Sequence, residues 1–414
     1  MNKILSKEQI LQLWETNERK ISVYVHNPFC IQVCKYCAYK GVLKTDDIYQ
    51  KYYYEYLPNQ INFYKPVLEN NTIRSWFFGG GTPNIMKPDT MEYILSLFPE
   101  KFKTEGEKII EMYPSLTTKE HIDILAKYNF TTIIIGVQTF DSEVLKEQNR
   151  LPSEVEQVKW IIDYAHSKGI KIGIDLIAYL PNAKEDNVKN DLEILHSMMP
   201  EEITIATNYK ERSNYLTKVI NTIKSSTMLK DYRSFDLGFA DKIKVARLFR
   251  NDVVKEYNRG QGTFYNFISG LEDFIVRDAE YDCSTLGIGS YKNSCKNTYS
   301  NINQEYAITE KNVDWKPEYE LLYHHNFYDS ARQTIDTLEK IMKGKNPPSG
   351  TTLTIQNTLN SSEEKIVENC FKDFYYYEQL PYWINFSNNG LEFHNNKVKD
   401  FKDTFNTEKE NYKC

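Results

Sequence analysis

The sequence predicts an α/β chain: a partial (β/α)6, TIM-like barrel followed by a helical and loop extension and a small C-terminal domain. Three observations predict it. From Ile21 onward, short runs rich in Ile, Val, Phe and Tyr alternate with helix-patterned stretches, the rhythm of parallel strands joined by crossover helices. Six such units pass before about Asn208, after which the rhythm breaks. The stretch from Lys343 to Thr352 then punctuates the chain with Pro-Pro and Ser-Gly, as a linker does. The expected organisation is an N-terminal helix over 1–20, the barrel over 21–208, an extension over 209–342 that completes a pocket, and a C-terminal unit over 343–414.

The first strand is ISVYVHN from Ile21, followed by a helix from Asp46 to Tyr64. Next come strands at 73–79, 108–113, 130–137, 171–180 and 201–207, separated by helices over 88–98, 117–128, 154–168 and 184–198. Many of these helices open with Asp, Ser, Thr or Pro, residues that satisfy or dispense with the first free N–H groups. Beyond Asn208, LGFADKIKVARLFRNDVVKEYNRG reads as charged and helix-rich, with Gly- and Tyr-containing loops to about Asn301. In a barrel of this kind, active residues are expected at the C-terminal ends of the strands.

The 414 residues are ample for a large core, with 41% hydrophobic residues. Lys+Arg number 51 against Asp+Glu 57, and the charges are interspersed, so no basic footprint for a phosphate backbone exists and nucleic acid is not an expected partner. No apolar run is long enough for a bilayer, and MNKILSKEQILQLWE lacks the apolar centre of a signal peptide. Seven cysteines, three of them within residues 30–37, suit a metal site in a reducing, cytoplasmic compartment better than a disulfide framework.

Those three, Cys30, Cys34 and Cys37, follow the first strand in the order HNPFC-IQV-C-KY-C. Two plainer readings stand beside a cluster site: a structural zinc with His26 as fourth ligand, and unrelated buried thiols. Structural zinc usually draws its ligands from two paired knuckles. Here Cys283 and Cys295 are too far apart to form a second pair, and Cys370 and Cys414 stand alone. Three thiolates leave one iron of a [4Fe–4S] cluster open to a ligand.

The CxxxCxxC spacing resembles the signature of the radical S-adenosylmethionine (SAM) superfamily. That resemblance implies a [4Fe–4S] cluster on Cys30, Cys34 and Cys37, whose open iron chelates SAM and reductively cleaves it to a 5′-deoxyadenosyl radical. YVHNPFC is similar to the branch named for oxygen-independent coproporphyrinogen III oxidase, the HemN-like branch. Carried over position by position, the resemblance places Tyr24, Tyr36, Gly80, Gly81, Thr82, Glu111, Gln138, Arg150 and Asp175 around SAM. Arg150 is expected on the methionine carboxylate, Gln138 and Asp175 on the ribose. Several members of the branch bind a second SAM, for which Asn208, Tyr209 and Lys210 are the candidates.

The expected reaction is methyl transfer to carbon, or cyclopropane-forming methylene transfer, on an unsaturated natural product. Tyr39 stands near the place of the fourth cysteine that often follows the oxidase triplet, and the HNxxYW signature of the haem chaperone is missing. The alternatives are an anaerobic porphyrin- or haem-modifying enzyme and a haem chaperone. The implied partners are a small-molecule substrate and a flavodoxin- or ferredoxin-type electron donor.

Overall fold

The computed structural model describes residues 3–5, 7–15, 21–37, 41–99, 108–184, 186–207, 214–238, 244–253 and 284–289, with short strands at 308–309, 312–313, 319–321, 352–354, 384–387 and 390–394. Its centre is a nine-stranded sheet. We number the strands β1 (Ile21–Asn27), β2 (Ile73–Gly80), β3 (Lys108–Met112), β4 (Thr132–Gln138), β5 (Lys171–Ala178), β6 (Glu202–Thr207), β7 (Tyr232–Gly238), β8 (Lys244–Arg250) and β9 (Ser284–Ile288). Their order across the sheet is β7-β8-β6-β5-β4-β3-β2-β1-β9. The six expected strands are present, mutually parallel and in chain order, which is the partial barrel.

Alternation explains why Ile-rich runs became strands. Ile133, Ile135 and Val137 of β4, Ile172, Ile174 and Leu176 of β5, and Ile203 and Ile205 of β6 are almost wholly buried in the main core with the helices. The intervening Ile134, Gly136 and Gln138 are only partly buried. On that second face Tyr24, Phe77 and Ile109 form a separate small cluster with Ile134 packed against it. Burying one face under helices while the other lines a half-open lumen is the division of labour a barrel requires.

The crossover helices are α2 (Asp46–Lys51), running through a π turn (Tyr52–Tyr56) into α3 (Leu57–Asn70), then α4 (Pro88–Ser96), α5 (Lys119–Lys127), α6 (Ser142–Glu147), α7 (Val155–Ser167) and α8 (Asn187–Met198). They are preceded by α1 (Lys7–Glu15) and followed by α9 (Asn214–Ser225). Polar caps set several starts. Thr118 and His121 form a reciprocal capping box on α5, and Asp141 accepts from Glu143 and Val144 N–H at 3.1 Å on α6.

Two expectations fail in the extension. The charged stretch around KVARLFR is a β-hairpin, not a helix: β8 pairs antiparallel with β6 and with β7. The stretch reads as charged and helix-rich, but Leu248 and Phe249 are buried in the sheet, and pairing with β6 outweighs local propensity. Likewise STLGI, expected within a loop, is β9, lying parallel to β1 from Ser284↔Ile21 to Ile288↔Val25. The C-terminal region contains an antiparallel hairpin, Ile384–Ser387 with Gly390–His394, while the linker interior at 343–351 lies outside the described residues.

Candidate functional site

Because β1 to β6 are parallel, their C-terminal ends share one rim of the sheet. The cysteine loop leaves β1 there, beside the end of β2: His26 and Asn27 stand opposite Gly79 and Gly80, and the Gly81 N–H donates to Asn27 O at 2.6 Å. At Gly81 the next backbone comes close. A Cβ would sit 2.5 Å from Phe29 O and 3.0 Å from Cys30 Sγ, so any side chain would push the loop that carries the first thiol. Gly81→Ala is expected to lower iron bound per chain at least about twofold, because packed backbone cannot yield as a side-chain tip does. Metal analysis of the reconstituted protein, with a melting curve to establish folding, checks this.

Thr82 Oγ1 lies 3.8 Å from Cys30 Sγ. Burial is the main influence on the Cys30 thiol and raises it to about 11, partly opposed by the Thr82 hydroxyl, with Cys37 and Cys34 adding to the rise. Cys34 turns back on itself through Cys37 N–H to Cys34 O at 3.2 Å. The loop is moored to the segment after α6 by Lys35 N–H to Gln148 O at 2.9 Å and Asn149 Nδ2 to Val33 O at 2.9 Å.

That mooring delivers Arg150. Its Nη1 is 3.8 Å from Cys34 Sγ, its Nη2 donates to Gly136 O, and its guanidinium lies over the Tyr113 ring at 4.0 Å. Tyr113 is itself fixed, its hydroxyl accepting from Leu151 N at 3.0 Å and from Gln32 Nε2 at 3.2 Å. The motif reading passed over Tyr113, Gln148 and Asn149, although Tyr113 is two residues beyond Glu111 and the other two immediately precede Arg150. Arg150 Nε is buried with no hydrogen-bond partner among the described residues, and the buried Tyr36 hydroxyl lies beside Cys34. An orphaned donor beside a thiol is what a site built for a further polar group should show.

The remaining candidates line the same rim at different depths. Glu111, next to last in β3, accepts from Gly80 N–H at 3.1 Å. Gln138 ends β4 with φ of 70°, at a break in register between Gly136 and Gln138, a strained conformation of the kind found where a side chain must be aimed. Asp175 is inside β5 rather than at its end, opposite Gly136. Tyr24 is fully buried, stacked with Phe77 at 6.0 Å, and its hydroxyl pairs with His26 Nδ1 at 2.9 Å, so it supports the rim from beneath. His26, whose imidazole burial holds down to about 4, is thus engaged within the lumen. Asn208, Tyr209 and Lys210 lie outside the described residues. No helix among the described residues is long and apolar enough to cross a membrane.

The donors are of the types a cluster with SAM would use: three thiols on one loop, a guanidinium beside the second of them whose buried Nε has no hydrogen-bond partner among the described residues, and a carboxylate on the next strand but one. Comparison with known proteins agrees. Residues 24–195 match the Radical SAM superfamily. An oxygen-independent coproporphyrinogen III oxidase from Helicobacter pylori is 30% identical over 194 residues, 46% of this chain and 42% of that protein. A heme chaperone HemW from Lactococcus lactis is 31% identical over 204 residues, 46% of this chain and 52% of its own length. The matched region thus spans about half the length of these relatives. In fold, the chain is similar to coproporphyrinogen III oxidase (HemN) from Escherichia coli, with a TM-score of 0.64 at 17% identity over 96% of this chain and 93% of that one.

Proposed function

We propose, from the premise that this chain carries a radical SAM domain of the HemN-like kind over residues 24–195, that it oxidises a tetrapyrrole of the porphyrinogen class without oxygen. One observation carries the SAM chemistry: Arg150, braced by the Tyr113 ring and Gly136 O, reaches Cys34, and its buried Nε has no hydrogen-bond partner among the described residues. Cys30, Cys34 and Cys37 would hold the [4Fe–4S] cluster. When bound and reduced, it supplies the electron that splits SAM and so provides a 5′-deoxyadenosyl radical for hydrogen abstraction. Arg150 holds an anionic carboxylate by paired, directional N–H donors. Glu111, Gln138 and Asp175, at successive strands, take the polar groups of the amino acid and ribose, Gly80 to Thr82 let the ligand approach the backbone, and Tyr36 closes the side next to Cys34. An external low-potential donor of the flavodoxin or ferredoxin class would supply the electron.

The substrate class rests on the two relatives, one named an oxygen-independent coproporphyrinogen III oxidase and the other a heme chaperone. Neither name supports the methyl or methylene transfer expected from the sequence, and its second SAM site at Asn208 to Lys210 lies outside the described residues. Anaerobic incubation of the reconstituted protein with coproporphyrinogen III, SAM and a reductant is expected to consume substrate in step with 5′-deoxyadenosine, without S-adenosylhomocysteine. S-adenosylhomocysteine at each turnover would replace this reading with methyl transfer. Stoichiometric haem binding with no SAM-dependent turnover would replace it with a chaperone.

A further inference from the structure

The segment between α2 and α3 departs from ordinary helix: Leu57 N–H bonds to Tyr52 O, five residues back, so one extra residue is inserted over Tyr52–Tyr56. Such π turns are uncommon and gather at functional sites. Two of the side chains displayed here, Tyr52 and Tyr56, reach toward the sheet rim. Tyr52 OH donates to His26 O at 2.5 Å. One turn on, Gln60, fully buried, accepts from Gly289 N–H at 2.7 Å through Oε1, while its Nε2 donates to Gly289 O at 3.3 Å and to Tyr56 OH at 3.1 Å.

These bonds fix the orientation of the amide, because the Gly289 N–H needs the oxygen and both hydrogens of Nε2 have acceptors. Packing does not explain a buried amide where leucine would fill the volume, since a buried polar group destabilises unless satisfied. Gly289 itself has φ of 98°, and a Cβ there would lie 2.7 Å from both His26 O and Tyr52 OH. The turn after β9 is therefore pressed onto the strand that carries the cysteine loop. The first-SAM candidates run from β1 through β2, β3 and β4 to β5, whereas β9 flanks β1 on its other side. With SAM placed on β1 to β5 as proposed above, a turn locked beside β9 lies on the far side of β1 from that ligand.

We propose that Gln60 is a positioning residue that fastens the Gly289 turn to the cysteine-bearing strand and fixes the substrate-side wall of the cavity. The inference rests on the functional reading above for the identity of the substrate, and on geometry for the clamp. Hydrogen–deuterium exchange on the full reconstituted chain is expected to show a protected Gly289 amide that exchanges about tenfold or more faster in Gln60→Leu, since its acceptor is gone. With coproporphyrinogen III as the probe, Gln60→Leu is expected to raise KM at least about fivefold while iron content and SAM affinity stay within about twofold. Gln60→Glu, whose carboxyl burial keeps protonated and isosteric with the amide, is expected to recover both protection and KM. Should Gln60→Leu fail to fold, Tyr56→Phe removes one partner of the amide and gives the same readouts at smaller amplitude.

Unchanged exchange at Gly289, or a KM that does not move, would overturn the clamp; so would SAM affinity falling in parallel with KM. If wild-type protein does not turn over coproporphyrinogen III, the functional reading fails instead, and the clamp is judged by Gly289 exchange together with unchanged SAM affinity.

Discussion

The Cys34→Ser protein is expected to fold normally, to hold little iron after anaerobic reconstitution, and to release 5′-deoxyadenosine at least about 100-fold more slowly than wild type. A serine oxygen is a harder, weaker iron ligand than a thiolate, and even outer-sphere partners of metal ligands alter affinity or activity by about 10- to 100-fold. Normal folding is expected because the loop is anchored independently of the thiol, through Lys35 N–H to Gln148 O and Asn149 Nδ2 to Val33 O. Cys34 also faces Arg150 Nη1, so the substitution removes the guanidinium's sulfur neighbour together with the ligand. The pattern separates the cluster from a structural zinc site, where losing one ligand removes folding free energy directly and lowers the melting temperature. Iron, sulfide, nucleoside release and a melting curve measured on one preparation decide it. Wild-type iron and wild-type cleavage in Cys34→Ser would dismiss the cluster assignment.

Much of this was legible in the sequence because it is local. Ile133, Ile135 and Val137 announce a strand through their own alternation, and the spacing of Cys30, Cys34 and Cys37 already places three thiols on the one loop that follows β1. What escaped reading is what only tertiary contact creates. KVARLFR carries charges at helix-compatible intervals and becomes a strand because β6 offers its edge. STLGI is five residues long and acquires strand geometry from β1. Gln60 and Gly289 are 229 residues apart, and nothing in either neighbourhood signals the other. Tyr113 follows a recognised acid by two positions, yet its importance lies in a ring face beneath Arg150, which spacing does not encode. Asp175 shows the limit within a well-read element: its strand was found, but its depth within it depends on where β5 stops, at Ala178 just before Tyr179 turns to φ of 56°.

The Arg150→Ala protein is expected to keep its iron and sulfide and lose affinity for SAM by roughly 30-fold or more, the consequence of truncating one partner of a desolvated charged contact, worth about 2–5 kcal/mol. The guanidinium is buried, and although burial opposes its charge, the neighbouring Tyr36, Tyr113 and Cys34 leave its pKa raised, so it is always a cation. It is held on three sides by Tyr113, Gly136 O and Cys34 Sγ, while its buried Nε has no hydrogen-bond partner among the described residues, the donor that the proposed function assigns to a carboxylate. That geometry makes a second expectation sharper than the first. Arg150→Lys preserves charge but cannot both lie flat on a ring and present a fork of donors, so it should recover little of the lost affinity. Tyr113→Phe keeps the ring face and removes only the hydroxyl bonds to Leu151 and Gln32, so its affinity should stay within about tenfold of wild type, as neutral hydrogen bonds contribute about 1 kcal/mol. Equilibrium binding of SAM under anaerobic conditions to the three variants supplies the comparison. If lysine serves as well as arginine at position 150, the site needs only a positive charge, and Arg150 is not the carboxylate clamp proposed above.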